Sequence, residues 1–209
     1  MSILSTERWE SLEQQSAILF LFAGGLLVVH SVIHFLIAFM NVNYPFHHEF
    51  PFGVVGMILG FVALFGLYPR LVARSPRLAR SGAVLAGLGM VSWVALGLRT
   101  LIEELGATPP AWLGTIAPLI IFGTVLGYLV FGIVGLRTET VSRTTALIVV
   151  TPALVMVYKI AGAITLPDFT GAAVIVASGF ALAHLAIGAA LRGEEFPTSG
   201  VEPATGMAT

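Results

Sequence analysis

Lys159 is the only lysine of this chain, and it lies inside the apolar stretch TALIVVTPALVMVYKIAGAIT. His34 and Arg99 lie in two other apolar stretches. An ionisable group in the hydrocarbon of a membrane costs about 2.5–3.5 kcal/mol on insertion scales, and such groups commonly line a path for an ion, a proton or a polar solute. The three basic residues therefore indicate the handling of ions, protons or small solutes.

Helical spacing places these three basic groups at one depth. Counting about 1.5 Å per residue puts Lys159, His34 and Arg99 each roughly 10 Å from the nearer end of its apolar stretch. Glu103 follows Arg99 by four residues and shares its helix face, so it is a candidate counter-charge. We expect a polar vestibule formed by the first, third and fifth apolar stretches. Further candidates for counter-charges are Glu49 and Glu104.

The same residues have a second interpretation. Lysine and arginine can extend their charged ends to the membrane surface along their aliphatic stems. Arg99 and Lys159 would then be ordinary residues near the ends of their helices, without a vestibule between them. Pairing in the interior and extension to the surface both remain open from the sequence.

Four of the five histidines lie near the start of the chain. His30 and His34 are four residues apart and share one helix face, His47 and His48 follow, and His184 lies in the last apolar stretch. Neutral imidazole can carry protons or bind metals. All five are candidate metal ligands, and His30 and His184 are candidates to extend the polar path inward.

Two redox sites can be compared with these histidines. Haem b requires facing histidines at matched depth, and His30 near the midplane matches His184 only imperfectly. HSVIH, at residues 30–34, resembles the H-x-x-x-H box of the fatty-acid desaturases. Their H-x-x-H-H box is not completed, because Tyr44 stands where its first histidine is needed. No cofactor is therefore predicted, and bound haem b or a metal ion remains an alternative.

Composition and motifs narrow the function classes further. The chain has no cysteine, which excludes disulfides and thiolate sites. It has a net charge of -1 and no basic patch, which excludes nucleic acid as a partner. No nucleophile elbow, H-E-x-x-H pair or phosphate-binding glycine loop occurs, so no catalytic residue is assigned and a non-enzymatic function is favoured.

The elements that must position these residues are membrane-spanning helices. Hydrophobic residues make up 57% of the chain and charged residues 10%, whereas soluble domains carry about a quarter charged residues. A helix needs about 20 residues to cross a hydrocarbon core. The sequence predicts an all-α, polytopic integral membrane protein with a six-helix transmembrane bundle. The predicted spans lie near residues 17–40, 51–68, 82–105, 112–135, 144–166 and 170–191.

The ends and the loops indicate how the bundle is oriented. Residues 1–16 are predicted to form an interfacial segment, residues 17–191 the membrane domain and residues 192–209 a disordered tail. Arginines cluster in the loops after the second and fourth spans, and these loops should be cytoplasmic. Both termini are then cytoplasmic, and the expected location is the cytoplasmic (plasma) membrane.

Small residues indicate how the helices pack. Gly56 and Gly60, and likewise Gly123 and Gly127, are four residues apart, a spacing that lets helix backbones approach closely. Packing inside one bundle is the favoured explanation. The alternatives are a homo-oligomer or a partner in a membrane complex, besides the lipid bilayer itself.

Three functions follow in order of preference. The first is the non-enzymatic handling of an ion, a proton or a small solute through an outward-facing vestibule. Its polar lining would comprise Lys159, His34 and Arg99, with Glu103 as the counter-charge. The alternative is a structural or accessory subunit of a membrane complex. The third is a redox protein with haem or metal bound by histidines.

Overall fold

The computed structural model describes residues 6–42, 49–165 and 171–195. Over these ranges the regular structure is helical, and no strand occurs. A π-helical turn, Glu49–Gly53, precedes the second α-helix. The α-helices are α1 (Thr6–Met40), α2 (Val54–Gly66), α3 (Tyr68–Arg74), α4 (Pro76–Glu104), α5 (Ala111–Thr138), α6 (Arg143–Thr165) and α7 (Ala172–Glu195).

Six helical segments in the described ranges are long and apolar enough to cross a membrane. Their mean hydropathy lies between 1.7 and 2.4. The all-helical fold with six such segments, predicted from the sequence, is therefore confirmed. The second segment, Pro51–Arg74, comprises the end of the π-helical turn together with α2 and α3.

A break inside this second segment has a local cause. The Leu67 N–H donates to the Leu64 carbonyl at 3.1 Å, which tightens the last turn of α2 after Gly66. Pro69 stands in the first turn of α3, where its missing N–H costs nothing. The helix therefore restarts and continues to Arg74, beyond residue 68, where the predicted span ends.

The first and the last long helix both extend beyond the spans predicted from the sequence. α1 runs without a break from Thr6 to Met40, so the described part of residues 1–16 belongs to the first long helix. Trp9 packs on Tyr68 with ring centroids 5.5 Å apart, which holds this extension against α3. α7 likewise continues to Glu195, past the predicted end at residue 191, and residues 196–209 lie outside the described ranges.

The six long segments form a closed ring. α1 packs against α2 and α7, α4 packs against α2 and α5, and α6 packs against α5 and α7. Large buried side chains fill the space within the ring, among them Phe20, Phe61, Tyr128 and Ile187. A ring of this kind leaves room for a cavity wherever small residues replace large ones.

The glycines picked out from the sequence pack inside this ring. Gly123 meets the backbone of Gly89 on α4, so a side chain at residue 123 would collide with main chain. A Cβ at Gly127 would lie 3.0 Å from the Ala86 Cα, again on α4. These contacts explain how α4 and α5 pack so closely, as the small-residue spacing predicts.

Candidate functional site

A cavity of about 320 Å³ opens between α1, α2, α4, α6 and α7. It lies in the half of the bundle that contains Met40 and the first turns of α2 and α7, which is called the Met40 half below. Its polar lining comes from His30, His34, Trp93, Tyr158 and Lys159. Its volume is at the lower end of the range usual for small-molecule sites, about 300–1,000 Å³.

The histidines enter the cavity from one face of α1. Leu27, His30 and His34 are spaced by three and four residues, so all three side chains share the face that lines the cavity. The two imidazole rings meet edge to face, with centroids 4.5 Å apart. A Cβ at Gly53 would lie 2.8 Å from His30 Cε1, so glycine at this turn leaves room for the imidazole.

Lys159 enters the cavity from α6, together with Tyr158, Gly162 and Ala163. Its side chain is exposed. Among the residues that the structure describes, no carboxylate lies within ion-pair distance of its ammonium group. Within the described part of the site, Lys159 therefore brings a positive charge that the protein does not neutralise.

The deeper part of the cavity is hydrocarbon. Leu27, Met57 and Phe180 are the deepest lining residues of α1, α2 and α7, and all three are buried. Trp93 contributes its indole ring, whose N–H donates to Thr124 on α5 at 3.3 Å. The cavity thus combines basic groups with an apolar floor.

Of the three basic residues that the sequence predicts at one depth, only two line the same cavity in the structure. Lys159 and His34 line one cavity together with His30, whereas Arg99 and Glu103 do not line it. The Arg99 guanidinium instead donates to the Glu103 carboxylate at 2.9 Å, on an exposed face of α4. The third span, α4, contributes Trp93 and Leu96 to the cavity, and α2 and α7 add walls beyond the predicted three spans.

Comparison of the chain with protein-family models, curated proteins and solved structures finds no match. What the cavity can bind is therefore inferred from its own side chains. Its described lining carries an ammonium group, two imidazoles and a phenol, but no carboxylate and no aliphatic hydroxyl. Such a set can attract an anion and exchange protons.

A second polar site lies one helical turn below the cavity floor. His184 follows Phe180 by four residues and is fully buried. Its Nδ1 lies 2.8 Å from the Phe180 carbonyl oxygen, which can only accept, so Nδ1 carries the proton and donates. Nε2 of the neutral ring then accepts from the Tyr128 hydroxyl at 2.9 Å. Each polar side-chain atom of His184 and Tyr128 therefore has a hydrogen-bond partner.

The helix α2 packs against this buried pair at Gly60. A Cβ at Gly60 would overlap His184 Nε2 and would lie 2.9 Å from the Tyr128 hydroxyl oxygen. Phe20 and Phe61 pack on the pair with ring centroids 5.9 Å from His184 and 5.3 Å from Tyr128, respectively. Tyr128 was missed from the sequence, although a tyrosine in the middle of an apolar stretch signals a buried hydroxyl that needs a partner.

The histidines do not form a recognisable metal site in the described ranges. No group of three or more histidines and carboxylates lies close enough there to hold a metal ion. His184 uses both ring nitrogens in hydrogen bonds within the protein. His47 and His48 lie outside the described residues, as does part of the region between α1 and α2. Ligation of haem b or of a metal by these histidines stays an alternative that the described residues do not test.

Proposed function

We propose that this chain is a multi-pass protein of the cytoplasmic membrane that takes an ion, a proton or a small solute into the cavity of the Met40 half. The cavity lined by Lys159, His30 and His34 is the observation that carries the proposal. Ionisable groups that face the interior of a membrane bundle commonly mark a path for ions or solutes. The described lining has no carboxylate and no aliphatic hydroxyl, which favours binding and passage over group-transfer chemistry.

Insertion into a bilayer is supported by the outer surface of the bundle. Large apolar side chains project outward from the long helices, and a soluble protein rarely exposes so many together. A helix pairs most of its backbone groups within the segment, as a spanning element must. Examples that are more than half exposed are Phe22, Val84, Phe122, Leu147, Leu154 and Leu182.

The proposed orientation places the cavity on the outer side. Arg74 ends α3 and Arg80 lies in the second turn of α4, while Arg137 lies in the last turn of α5 and Arg143 begins α6. All four are at the end of the bundle opposite the Met40 half. Arginine-rich loops stay on the cytoplasmic side. The termini are then cytoplasmic, and the cavity opens outward above a closed apolar floor. Passage of a solute would require Met57 and Phe180 to move.

Flux across liposomes tests this proposal. We expect the reconstituted protein to conduct protons or a small solute, and we expect Lys159→Met to lower that flux at least tenfold. Lys159→Arg, which keeps the charge, should retain most of it. Arg99→Met is the matched control, because Arg99 is also a basic residue in a span but lies outside the cavity. Flux that is unchanged by Lys159→Met would contradict the proposal.

The alternative is a structural or accessory subunit of a membrane complex. The observation that favours it is the buried pair of Tyr128 and His184, whose polar groups satisfy each other and fix helix packing without reaching the cavity. Wild-type protein that conducts nothing, with equal thermal stability in Lys159→Met, would favour this alternative. A Soret band in the spectrum of the purified protein would instead favour the haem-binding redox protein.

A further inference from the structure

We infer that the cavity binds a small amphipathic organic anion, a monocarboxylate of about ten to twelve non-hydrogen atoms with an apolar body. This inference rests on the proposed function, since it names the ligand class of the same site. Four features of the cavity carry it, namely the sign of its charge, the placement of its polar groups, its apolar floor and its size.

The charge of the described lining selects an anion. Lys159 supplies an ammonium group, and no aspartate or glutamate is among the lining residues that the structure describes. A cation would meet repulsion here without a compensating carboxylate. A carboxylate would be neutralised by Lys159, and burial of a charge requires such a partner. His30 and His34 bring two imidazole rings to the same cavity.

The polar groups lie on two walls near the mouth of the cavity. His34 on α1 and Lys159 on α6 are each about two turns from the Met40 end of their helices, and α7 packs between α1 and α6. Near this level α7 contributes Ala173, Val176 and Ala177, and the two alanines leave space between the two walls. A head group placed there would be within reach of both helices.

The floor of the cavity requires an apolar body. Below the level of His30, the lining is formed by Leu27, Met57 and Phe180, with Trp93 on the side, and Val176 lines the cavity nearer its mouth. A small inorganic anion would leave these hydrocarbon surfaces in contact with water. An apolar tail that buries them gains about 25 cal/mol per Å² of apolar surface removed from water. The cavity therefore suits a ligand that is charged at one end only.

The volume limits the size of this ligand. An engineered protein cavity of about 150 Å³ holds one benzene molecule, which has six carbon atoms. The cavity here, at about 320 Å³, is roughly twice as large. It can enclose about ten to twelve non-hydrogen atoms, as in octanoate or 3-phenylpropionate. Acetate would leave the floor empty.

Binding of radiolabelled octanoate to the full chain in phosphatidylcholine nanodiscs tests the inference, after subtraction of binding to empty nanodiscs. We expect saturable binding that Lys159→Met weakens at least tenfold and that Lys159→Arg preserves. Arg99→Met should bind like the wild type. Competition separates the two parts of the ligand, because excess acetate or excess 1-octanol should each displace octanoate far less well than 3-phenylpropionate does.

Three results would overturn the inference: absence of saturable binding, equal binding by Lys159→Met, or displacement by 1-octanol as effective as by a carboxylate. Thermal unfolding of Lys159→Met at the wild-type temperature excludes misfolding as the cause of a loss in that variant. Displacement of octanoate by phosphatidylglycerol would also overturn the inference, in favour of a lipid anion, and resistance to it supports a small monocarboxylate.

The binding and flux measurements can contradict the ligand class and the proposed function independently of each other. Flux of protons or of another solute that depends on Lys159, in a protein that binds no octanoate, would remove the ligand class and keep the proposed function. Octanoate binding that depends on Lys159, in a protein without flux, would keep the site and remove transport.

Discussion

Lys159 and Arg99 are two basic residues at similar depth that differ in what surrounds them. Arg99 is paired with Glu103 on an exposed face of α4, so its charge is neutralised locally. Lys159 lines a cavity with His30 and His34, and no carboxylate of the described residues reaches it. The rotational position of each residue on its helix decides this difference. The sequence predicts the depth of each residue in the membrane, but depth does not show which side of the helix faces the cavity.

The buried pair of Tyr128 and His184 is a second contact that the sequence alone does not predict. The hydroxyl and the imidazole are 56 residues apart in the chain and meet only when α5 and α7 pack. His184 was singled out from the sequence because a histidine in an apolar stretch is conspicuous. Its partner and the need for glycine at residue 60 depend on three helices at once, and no local pattern reveals such a contact.

Replacement of Gly60 by alanine tests the packing around this pair. We expect Gly60→Ala to destabilise the protein by about 1–3 kcal/mol, because its Cβ would overlap His184 Nε2 in a close-packed core. The measurement is thermal unfolding in detergent. Gly25→Ala is the control, because a Cβ at Gly25 meets nothing within 4 Å, and it should be neutral or slightly stabilising. Equal stability of both variants would contradict the packing described here.

At the scale of helices, composition predicts the number and type of the elements. It predicts less well where each helix begins and ends. The six apolar stretches are long enough that helices which satisfy their own backbone groups are the natural outcome in a bilayer. The start of α1 and the break between α2 and α3 depend on contacts instead. Trp9 packs on Tyr68, and Glu13 forms an ion pair with Arg70, so the polar start of α1 is held as helix against α3.

The ends of α6 and α7 at the pole opposite the cavity are joined by a polar clamp. The Glu194 carboxylate on α7 accepts from the Ser142 N–H at 2.9 Å and from the Thr145 hydroxyl at 2.6 Å. The Ser142 hydroxyl in turn accepts from the Thr145 N–H at 3.1 Å, at the start of α6. Side chains in this position satisfy N–H groups that the first turn of a helix leaves without partners.

Removal of the carboxylate tests this clamp. We expect Glu194→Ala to lower the free energy of unfolding by about 1–2 kcal/mol, since it removes the carboxylate to which the Ser142 N–H and the buried Thr145 hydroxyl donate. Urea unfolding followed by circular dichroism in detergent would measure it. Arg143→Ala removes a surface ion pair with Glu139 nearby and should change stability by less than about 0.5 kcal/mol. A larger effect in Arg143→Ala than in Glu194→Ala would refute the clamp.

At the scale of the whole molecule, the ring of helices divides into two halves with different interiors. The Met40 half contains the cavity and its basic lining, and the opposite half is filled by side chains such as Phe20, Phe61 and Ile187. The buried pair of Tyr128 and His184 lies where the two halves meet. This asymmetry is what gives the proposed outward-facing cavity a closed inner end.

The measurement that tests this account most directly is the reaction of single cysteines with a membrane-impermeant maleimide in intact cells. The chain contains no cysteine, so each introduced thiol is the only one. Ala173 lines the cavity on α7, and Leu182 projects outward from the same helix with 66% exposure. The account predicts labelling of Ala173→Cys and protection of Leu182→Cys by lipid. Protection of Ala173→Cys in intact cells, or its labelling only in inverted vesicles, would contradict a cavity that opens outward to water.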